Sequence, residues 1–165
     1  MKIERVLASD LPECADLIRR SFRTVADQFG FTPENAPRFT AFSVDTEMLE
    51  KQFSDPDRSF YKYTLDGRIV GYYSLQKLDG DEVAINNLCV DPSARKGGIG
   101  AALLNHAFDT AKESGFRIIK ISIVEENQVL RKWYESFGFT HTGTIKYDFF
   151  PFTCGYLEKP ITKED

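Results

Sequence analysis

The chain has 165 residues, of which 42% are hydrophobic and 28% are charged, and its formal net charge is −4. This length and composition predict one domain with a sizeable core, residues 1–165, and exclude an intrinsically disordered chain. Acidic and basic residues are interspersed, without a block of Lys and Arg that could follow nucleic-acid phosphates, so we expect no nucleic-acid partner.

The amino-terminal segment and the cysteines predict a cytoplasmic protein. Charges in Met1–Arg5 occupy the place where a signal peptide needs its apolar segment, and no later run is long and apolar enough to suggest a membrane span. The cysteines, Cys14, Cys89 and Cys154, are odd in number and form no C-x-x-C pair, which favours a reducing compartment and predicts no metal site. Cys89 lies inside an apolar strand-like run, so we interpret it as a packing residue and not as a nucleophile.

The first third of the chain predicts a strand, a long helix and an irregular segment. A strand near Lys2 to Leu7 is followed by a helix that begins at Asp10 and repeats apolar residues at helical spacing. Residues 29–43 combine phenylalanines with prolines and predict an irregular, lid-like or pocket-lining region. A short helix is expected from Asp45 to Phe53.

Three strand-like runs follow, with turn signals between them. They are Ser59 to Leu65, Arg68 to Leu78 and Glu82 to Val90. The dipeptides Asp66-Gly67 and Asp79-Gly80 separate them, and Asp-Gly is a signal for tight hairpins. These runs predict an antiparallel meander.

The segment Arg95-Lys96-Gly97-Gly98-Ile99-Gly100-Ala101 opens the next predicted helix, over residues 98–114. The first amides of a helix have no intrahelical acceptor and lie at the positive end of its dipole, so phosphate oxygens can bind there when glycines leave the space open. No Ser, Thr, Asp or Asn immediately precedes this helix to cap it. The segment therefore indicates an anion site, with a tight turn that binds no ligand as the alternative.

The rest of the chain completes an α+β arrangement. Arg117 to Val124 follows the helix and predicts a parallel strand reached by a right-handed crossover. Glu126 to Ser136 predicts another helix, and strands are expected near Thr140 to Tyr147 and Thr153 to Leu157. The predicted fold class is α+β, a mixed and mostly antiparallel sheet flanked by helices.

Two phosphate-binding patterns do not fit the glycine segment. A P-loop needs Lys-Ser or Lys-Thr after its glycines, and neither dipeptide occurs here. A dinucleotide fingerprint would align Gly98 and Gly100 with its first glycines but would place Leu103 at the third. The upstream strands also predict a meander and not a βαβ unit.

A third pattern, Arg95-x-x-Gly98-x-Gly100, resembles motif A of the GNAT superfamily of N-acetyltransferases. The segment Leu88-Cys89-Val90-Asp91-Pro92 resembles the end of the fourth strand of that family, and Asn127, Tyr134 and Gly138-Phe139 resemble its second motif. The resemblance covers nearly the whole chain. It implies a GNAT-like acyl-CoA N-acyltransferase fold, a single acetyltransferase domain, and a sheet that splays between the strands ending at Val90 and Val124. It also implies that acetyl-CoA is the donor, with its pantetheine arm in the gap.

The resemblance implies a set of cofactor-binding residues along these motifs. Their backbone and side chains would hold the pyrophosphate and the pantetheine, and Arg95 and Lys96 would counter the pyrophosphate charge. The set is Leu88, Cys89, Val90, Arg95, Lys96, Gly97, Gly98, Ile99, Gly100, Ala101 and Asn127.

Helical spacing brings Asn127, Leu130 and Tyr134 to one face of the second predicted helix, where they could follow an extended ligand. Asn127 also suits the N-cap of this helix. The alternative for Tyr134 is a core aromatic residue whose hydroxyl binds backbone.

The implied chemistry is direct transfer of the acetyl group to an amine, without an acyl-enzyme. A main-chain N–H near Val90 would polarise the thioester carbonyl, and Tyr134 would protonate the departing thiolate. Many family members have a glutamate on the fourth strand where this chain has Asn86, or its neighbour Asn87. An amide can orient a water but cannot take a proton, so we expect the amine to arrive partly neutral or to lose its proton through water to an acid such as Glu82 or Asp81.

Three functions remain open at this point. The chain is an acetyl-CoA-dependent N-acetyltransferase, or an acyl-CoA-binding module without turnover, or a nucleotide-binding protein of another fold. The acceptor is a small-molecule amine or a peptide N-terminus. Family members often form homodimers, and the aromatic segment Tyr147–Phe152 either contributes to such an interface or is buried within its own chain.

Overall fold

The computed structural model describes residues 2–162, which form a mixed sheet with helices on both faces. The strands are β1 (Ile3–Arg5), β2 (Arg58–Leu65), β3 (Arg68–Lys77), β4 (Glu82–Val90), β5 (Ile118–Val124), β6 (Thr140–Ile145) and β7 (Cys154–Pro160). The α-helices are α1 (Leu11–Phe29), α2 (Thr40–Ser43), α3 (Thr46–Phe53), α4 (Ile99–Glu113) and α5 (Gln128–Ser136), and single 3₁₀ turns occur at Ala8–Asp10 and Pro92–Ala94. The predicted α+β class is confirmed.

The antiparallel meander predicted for β2, β3 and β4 is confirmed. Asp66 and Gly67 connect the first two strands with φ angles of 51° and 76°, as a two-residue turn with two left-handed positions requires. Between β3 and β4 the register shifts, because Ser74 faces Asn86 while Tyr72 faces Cys89. The extra residue on β4 forms a bulge.

The sheet parts between its two parallel strands, as the family resemblance implies. β4 and β5 pair only from Glu82 to Ala84, opposite Ile118 to Lys120. Beyond Ala84 the strands diverge, while β5 remains paired along its whole length with β7 on its other side. The sheet order is β1-β2-β3-β4-β5-β7-β6, so the last strand lies inside the sheet. The gap that opens beside the second half of β4 determines where a ligand can pass.

Separate apolar clusters cover the two faces of the sheet. On one face, Leu103 and Ala107 of α4 pack against Ile119 and Ile121 of β5. Leu104 of the same helix is fully buried there.

On the other face, Cys14 and Ile18 of α1 pack against Tyr72 and Cys89. Further along α1, Ala26 packs in an aromatic cluster with Val124 at the end of β5. The helix therefore crosses from the end of β4 to the end of β5, over the gap.

Residues 29–43 are largely irregular, as predicted, apart from the single turn of α2. Their phenylalanines belong to the aromatic cluster: the rings of Phe31 and Phe152 are 4.8 Å apart and those of Phe39 and Phe152 are 5.7 Å apart. None of its residues lines the cavity described below, so the pocket-lining alternative is not supported. Apolar packing explains its phenylalanines.

The cysteines, Cys14, Cys89 and Cys154, are buried and unpaired with one another. Within residues 2–162, no helix combines the length and the apolar run that a membrane crossing requires. The same residues contain no group of three or more His, Cys, Asp or Glu side chains placed to hold a metal ion.

Candidate active site

The glycine segment forms a loop whose main-chain donors are unsatisfied. None of the N–H groups from Lys96 to Ala101 has a hydrogen-bond acceptor among residues 2–162; the first helical bond of this segment is donated by Ala102. Gly98 caps α4 with a φ of 82° and without a side-chain hydrogen bond, and Lys96 also has a positive φ, of 68°. Unpaired donors at the positive end of a helix form an anion site. The structure therefore has the arrangement on which the prediction depends, free main-chain donors at the start of a helix.

A cavity of about 770 Å³ begins at this loop and extends along the gap in the sheet. Its walls are the loop, the end of β4, the first turns of α5 and the second half of α1. Most of the predicted site residues line it, namely Leu88, Cys89, Val90, Arg95, Lys96, Gly98, Ile99, Gly100, Ala101, Asn127 and Tyr134. Gly97 and Asn86 are predicted site residues that do not line it.

The α5 wall agrees with the predicted helical face. Asn127 is the N-cap, and its side-chain oxygen accepts a hydrogen bond of 3.2 Å from the Leu130 N–H. Leu130 and Tyr134 line the cavity on the same face. Trp133 and Val129 also line it, and the sequence analysis had not assigned either of them.

Tyr134 is buried, and its hydroxyl has no hydrogen-bond partner among the described residues. Trp133 and Phe139 hold its ring in edge contacts, with ring centroids 5.0 Å and 5.5 Å away. Burial raises the pKa of the phenol above its usual value of 10, and the neighbouring Cys89 thiol raises it further. The hydroxyl therefore keeps its proton at neutral pH and can donate it.

The α1 wall was not predicted. Ser21, Thr24, Val25 and Gln28 recur at i, i+3, i+4 and i+7 and line the cavity together with Phe22. The sequence contained one indication of this face. The first half of α1 has an apolar stripe, and in the second half small and polar residues take the positions at which that stripe would continue.

The 3₁₀ turn between β4 and the glycine loop is fixed by Asp91. Its carboxylate accepts hydrogen bonds from the Ser93 N–H at 3.0 Å and from Arg20 of α1 at 2.7 Å. Burial alone would raise the pKa of Asp91, but the hydrogen bonds from Arg20 and Ser93 outweigh burial and lower it from 3.8 to about 2. Asp91 therefore stays ionised and ties the loop to α1.

Arg95 lines the cavity, yet its guanidinium is engaged elsewhere in this structure. It donates to the carbonyl oxygens of Val90 and Ser21 and to the hydroxyl of Thr24. We predicted that this guanidinium counters the pyrophosphate charge, but here its donors bind oxygen atoms of the protein instead. Lys96 is exposed on the loop.

Asn86 lies before the bulge, outside the cavity wall. Its amide donates a hydrogen bond of 2.9 Å to Oε1 of Gln76 on β3. The carboxylates named as proton acceptors are more distant: Glu82 pairs with Lys120 at 2.9 Å at the beginning of β4. At about 3.3 Å per residue, Glu82 is about 26 Å from Val90. The expectation that Glu82 or its neighbour Asp81 takes the proton is not supported.

Cys89 is buried, as expected for a packing residue. Burial raises the pKa of its thiol to about 12, so the thiolate is scarcely populated at neutral pH. A covalent acyl-cysteine intermediate at this position is therefore disfavoured.

Parted parallel strands, a glycine-initiated helix at the gap and a cavity along it define the class of acyl-CoA-dependent acyltransferases. Comparison with known proteins agrees: the model of the Acetyltransferase (GNAT) family matches residues 13–139. The chain belongs to the GNAT acetyltransferase family.

Relatives and solved structures of this family match over most of the chain. An uncharacterised N-acetyltransferase of Lactobacillus delbrueckii subsp. lactis is 26% identical over 149 residues, covering 85% of this chain and 84% of the relative. The [ribosomal protein bS18]-alanine N-acetyltransferase of Escherichia coli K12 is 28% identical over 95 residues, covering 58% of this chain and 63% of the relative. The PaiA N-acetyltransferase of Thermoplasma acidophilum, solved in complex with coenzyme A, superposes with a TM-score of 0.80 at 20% identity, covering 97% of this chain and 99% of the other.

Proposed function

We propose that this chain transfers the acetyl group of acetyl-CoA directly to a primary amine. The observation that carries the proposal is the row of unsatisfied N–H groups from Lys96 to Ala101, at one end of a cavity that reaches Tyr134. These donors can take the pyrophosphate, and the cavity leads from them to a buried proton donor. The coenzyme A complex of the Thermoplasma acidophilum protein supports the same ligand here.

The residues present fit coenzyme A. A Cβ built on Gly100 would lie 3.6 Å from Trp133 and 3.8 Å from Val90, so a side chain there would narrow the cavity between its walls. Glycine keeps that space open for the ligand. The main-chain N–H groups of the loop would hold the pyrophosphate, and the Leu88–Val90 backbone with Asn127 would follow the pantetheine arm.

The chemistry needs a polarised thioester and a proton for the departing thiolate. A main-chain N–H near Val90 supplies the first, because a donor aimed at a developing oxyanion stabilises the transition state. Tyr134 supplies the second: the phenol donates its proton to the departing thiolate, and the proton that the attacking nitrogen loses on forming the amide restores the phenol. Asn86 lies outside the cavity wall, so its part would be to orient a water at the acceptor side together with Gln76. No acyl-enzyme forms, so donor and acceptor must be bound together.

Thiol release from acetyl-CoA tests the proposal against the alternative of a binding module without turnover. Purified protein is incubated with acetyl-CoA and a panel of polyamines, amino acids and peptides, and free thiol is measured. Peptides with amino-terminal alanine belong in the panel because the Escherichia coli relative is named for that acceptor. Turnover with any amine supports the transferase. Binding of acetyl-CoA without turnover on any acceptor supports the module instead, and stabilisation by ATP or NAD but not by coenzyme A contradicts both.

Two substitutions locate the acceptor. If Asn86 faces the amine, Asn86→Asp places a base beside it and raises kcat/KM several-fold at fixed pH. An unchanged kcat/KM in both Asn86→Asp and Asn87→Asp would reject this placement. Asn87 makes a suitable comparison because it is the adjacent residue but has a left-handed φ of 56°.

We also propose a cellular compartment and an oligomeric state for this protein. Buried unpaired cysteines support a cytoplasmic location. For a homodimer through Tyr147–Phe152, Phe149 is the aromatic side chain to test, because it is 41% exposed whereas Phe152 is buried in its own chain. Light scattering of the wild-type protein and of Phe149→Ser measures the assembly directly, and an unchanged dimer in the variant excludes this surface.

A further inference from the structure

Hydrogen bonds join the second half of α1 to the end of β4. Arg95 donates from Nε to the Val90 carbonyl at 3.1 Å, from Nη1 to the Thr24 hydroxyl at 3.0 Å and from Nη2 to the Ser21 carbonyl at 3.1 Å. The Ser21 hydroxyl donates to the same Val90 carbonyl at 3.1 Å. These contacts, which we call the Arg95 latch, connect residues that are 71 and 74 positions apart in the chain.

The latch suits an arginine and no other side chain. A guanidinium presents its donors in one rigid plane, so all three of its nitrogens can reach separate acceptors at once. Lysine has a single nitrogen and cannot reproduce that fork. All three acceptors are neutral oxygens, so the contacts do not depend on ion pairing and should respond little to salt.

The latch lies where α1 crosses the gap in the sheet. On the far side of the gap, Ala26 is held in the aromatic cluster with Val124 and Phe152. On the near side, the Arg95 latch and the Arg20–Asp91 pair hold the helix to β4. Ser21 and Thr24, which are themselves acceptors of the latch, line the cavity together with the next residue, Val25. Any movement of this part of α1 would therefore change the width of the cavity.

We infer that Arg95 is a positioning residue that holds α1 over the acyl-CoA channel through its contacts with Val90, Ser21 and Thr24, and that its guanidinium is not a ligand of the pyrophosphate. The inference rests on the proposed function, because the channel it shapes is the proposed acetyl-CoA site. The exposed Lys96 then makes the charge interaction with the pyrophosphate, while the main chain of Arg95 remains part of the loop.

Two adjacent variants, Arg95→Gln and Lys96→Gln, test the inference because each removes one positive charge. Coenzyme A affinity is measured by calorimetry over a series of potassium chloride concentrations. Lys96→Gln should weaken binding and flatten the dependence of Kd on salt, since a charge near the pyrophosphate is screened by ions. Arg95→Gln should raise Kd about tenfold, the effect of losing hydrogen bonds from a charged donor, while its salt dependence remains that of the wild type.

Further variants separate positioning from a general loss of stability. Thr24→Val removes one acceptor of the latch, and its effect on kcat/KM for acetyl-CoA should largely disappear when Arg95 is already Gln, because the two groups act through one contact. Arg95→Lys should not restore affinity. If Arg95→Gln does not fold, Thr24→Val alone carries the test, with an expected rise in Kd of about threefold; an unchanged Kd would overturn the inference.

The outcomes distinguish this inference from the function on which it rests. If the wild type does not bind coenzyme A, the proposed function fails. If the wild type binds and Arg95→Gln flattens the salt dependence as Lys96→Gln does, the positioning role is wrong and Arg95 is a pyrophosphate ligand. If the effects of Arg95→Gln and Thr24→Val simply add, the two groups do not act through one contact, and the positioning role is wrong while the proposed function stands.

Discussion

Tyr134→Phe removes one oxygen atom from the centre of the candidate site. Tyr134 is only 7% exposed, and its hydroxyl has no partner among the described residues, so the change breaks no hydrogen bond. We expect the free energy of unfolding to change by no more than about 0.5 kcal/mol. If the phenol protonates the thiolate, kcat should fall by about 10²- to 10⁴-fold, which corresponds to about 3 to 5 kcal/mol of transition-state stabilisation.

The assay is thiol release at saturating acetyl-CoA and acceptor, with stability measured by urea denaturation. Tyr72→Phe is a matched control, because Tyr72 is also buried with an unpartnered hydroxyl but does not line the cavity. The control should retain wild-type kcat. A Tyr134→Phe enzyme with wild-type kcat would refute the role of the phenol as acid, and an equal loss in both variants would show that the effect is structural.

Three further predictions concern stability, measured by chemical denaturation. Gly98→Ala should lower the free energy of unfolding by about 1 to 2 kcal/mol because Gly98 has a φ of 82°, whereas Gly97→Ala should cost less; equal effects would contradict the left-handed cap. The pKa of Asp91 falls from 3.8 in the unfolded chain to about 2 in the folded protein. Its contribution to the free energy of unfolding is therefore fully present above the unfolded pKa and is lost as the pH falls through the folded pKa. Asp91→Asn should therefore lose about 2 kcal/mol at neutral pH, with the difference from wild type shrinking in acid; a constant difference would refute this. In Gly155→Ala the new Cβ would collide with the Glu125 carboxylate and displace it from Arg131 and His141, which it contacts at 3.1 Å and 2.8 Å, at a cost of about 2 to 3 kcal/mol; wild-type stability would show that the contact relaxes freely.

Local sequence signals predicted the parts of the site that depend on neighbours in the chain. The glycines before α4 indicated an uncapped helix start, and Gly98 is indeed a left-handed cap without a side-chain bond. Helical spacing placed Asn127, Leu130 and Tyr134 on one face, which the cavity wall confirms. Such features follow from backbone geometry over a few residues, so they can be read from the sequence.

Features that join distant segments could not be predicted in this way. The contacts of the Arg95 guanidinium depend on where α1 crosses β4, and nothing near Arg95 in the sequence indicates that crossing. The position of β7 between β5 and β6 is likewise set by packing and not by local pattern. Asn86 was assigned from an aligned motif, but the bulge after it decides which part of β4 lines the cavity.

Amide NMR of the ¹⁵N-labelled protein during titration with coenzyme A shows whether the loop donors hold the pyrophosphate, because it observes individual main-chain N–H groups. We expect the largest shifts and the strongest new protection from exchange on the amides of Lys96 to Ala101, which have no acceptor among residues 2–162. Saturable binding that leaves those amides unchanged while others shift would contradict this expectation.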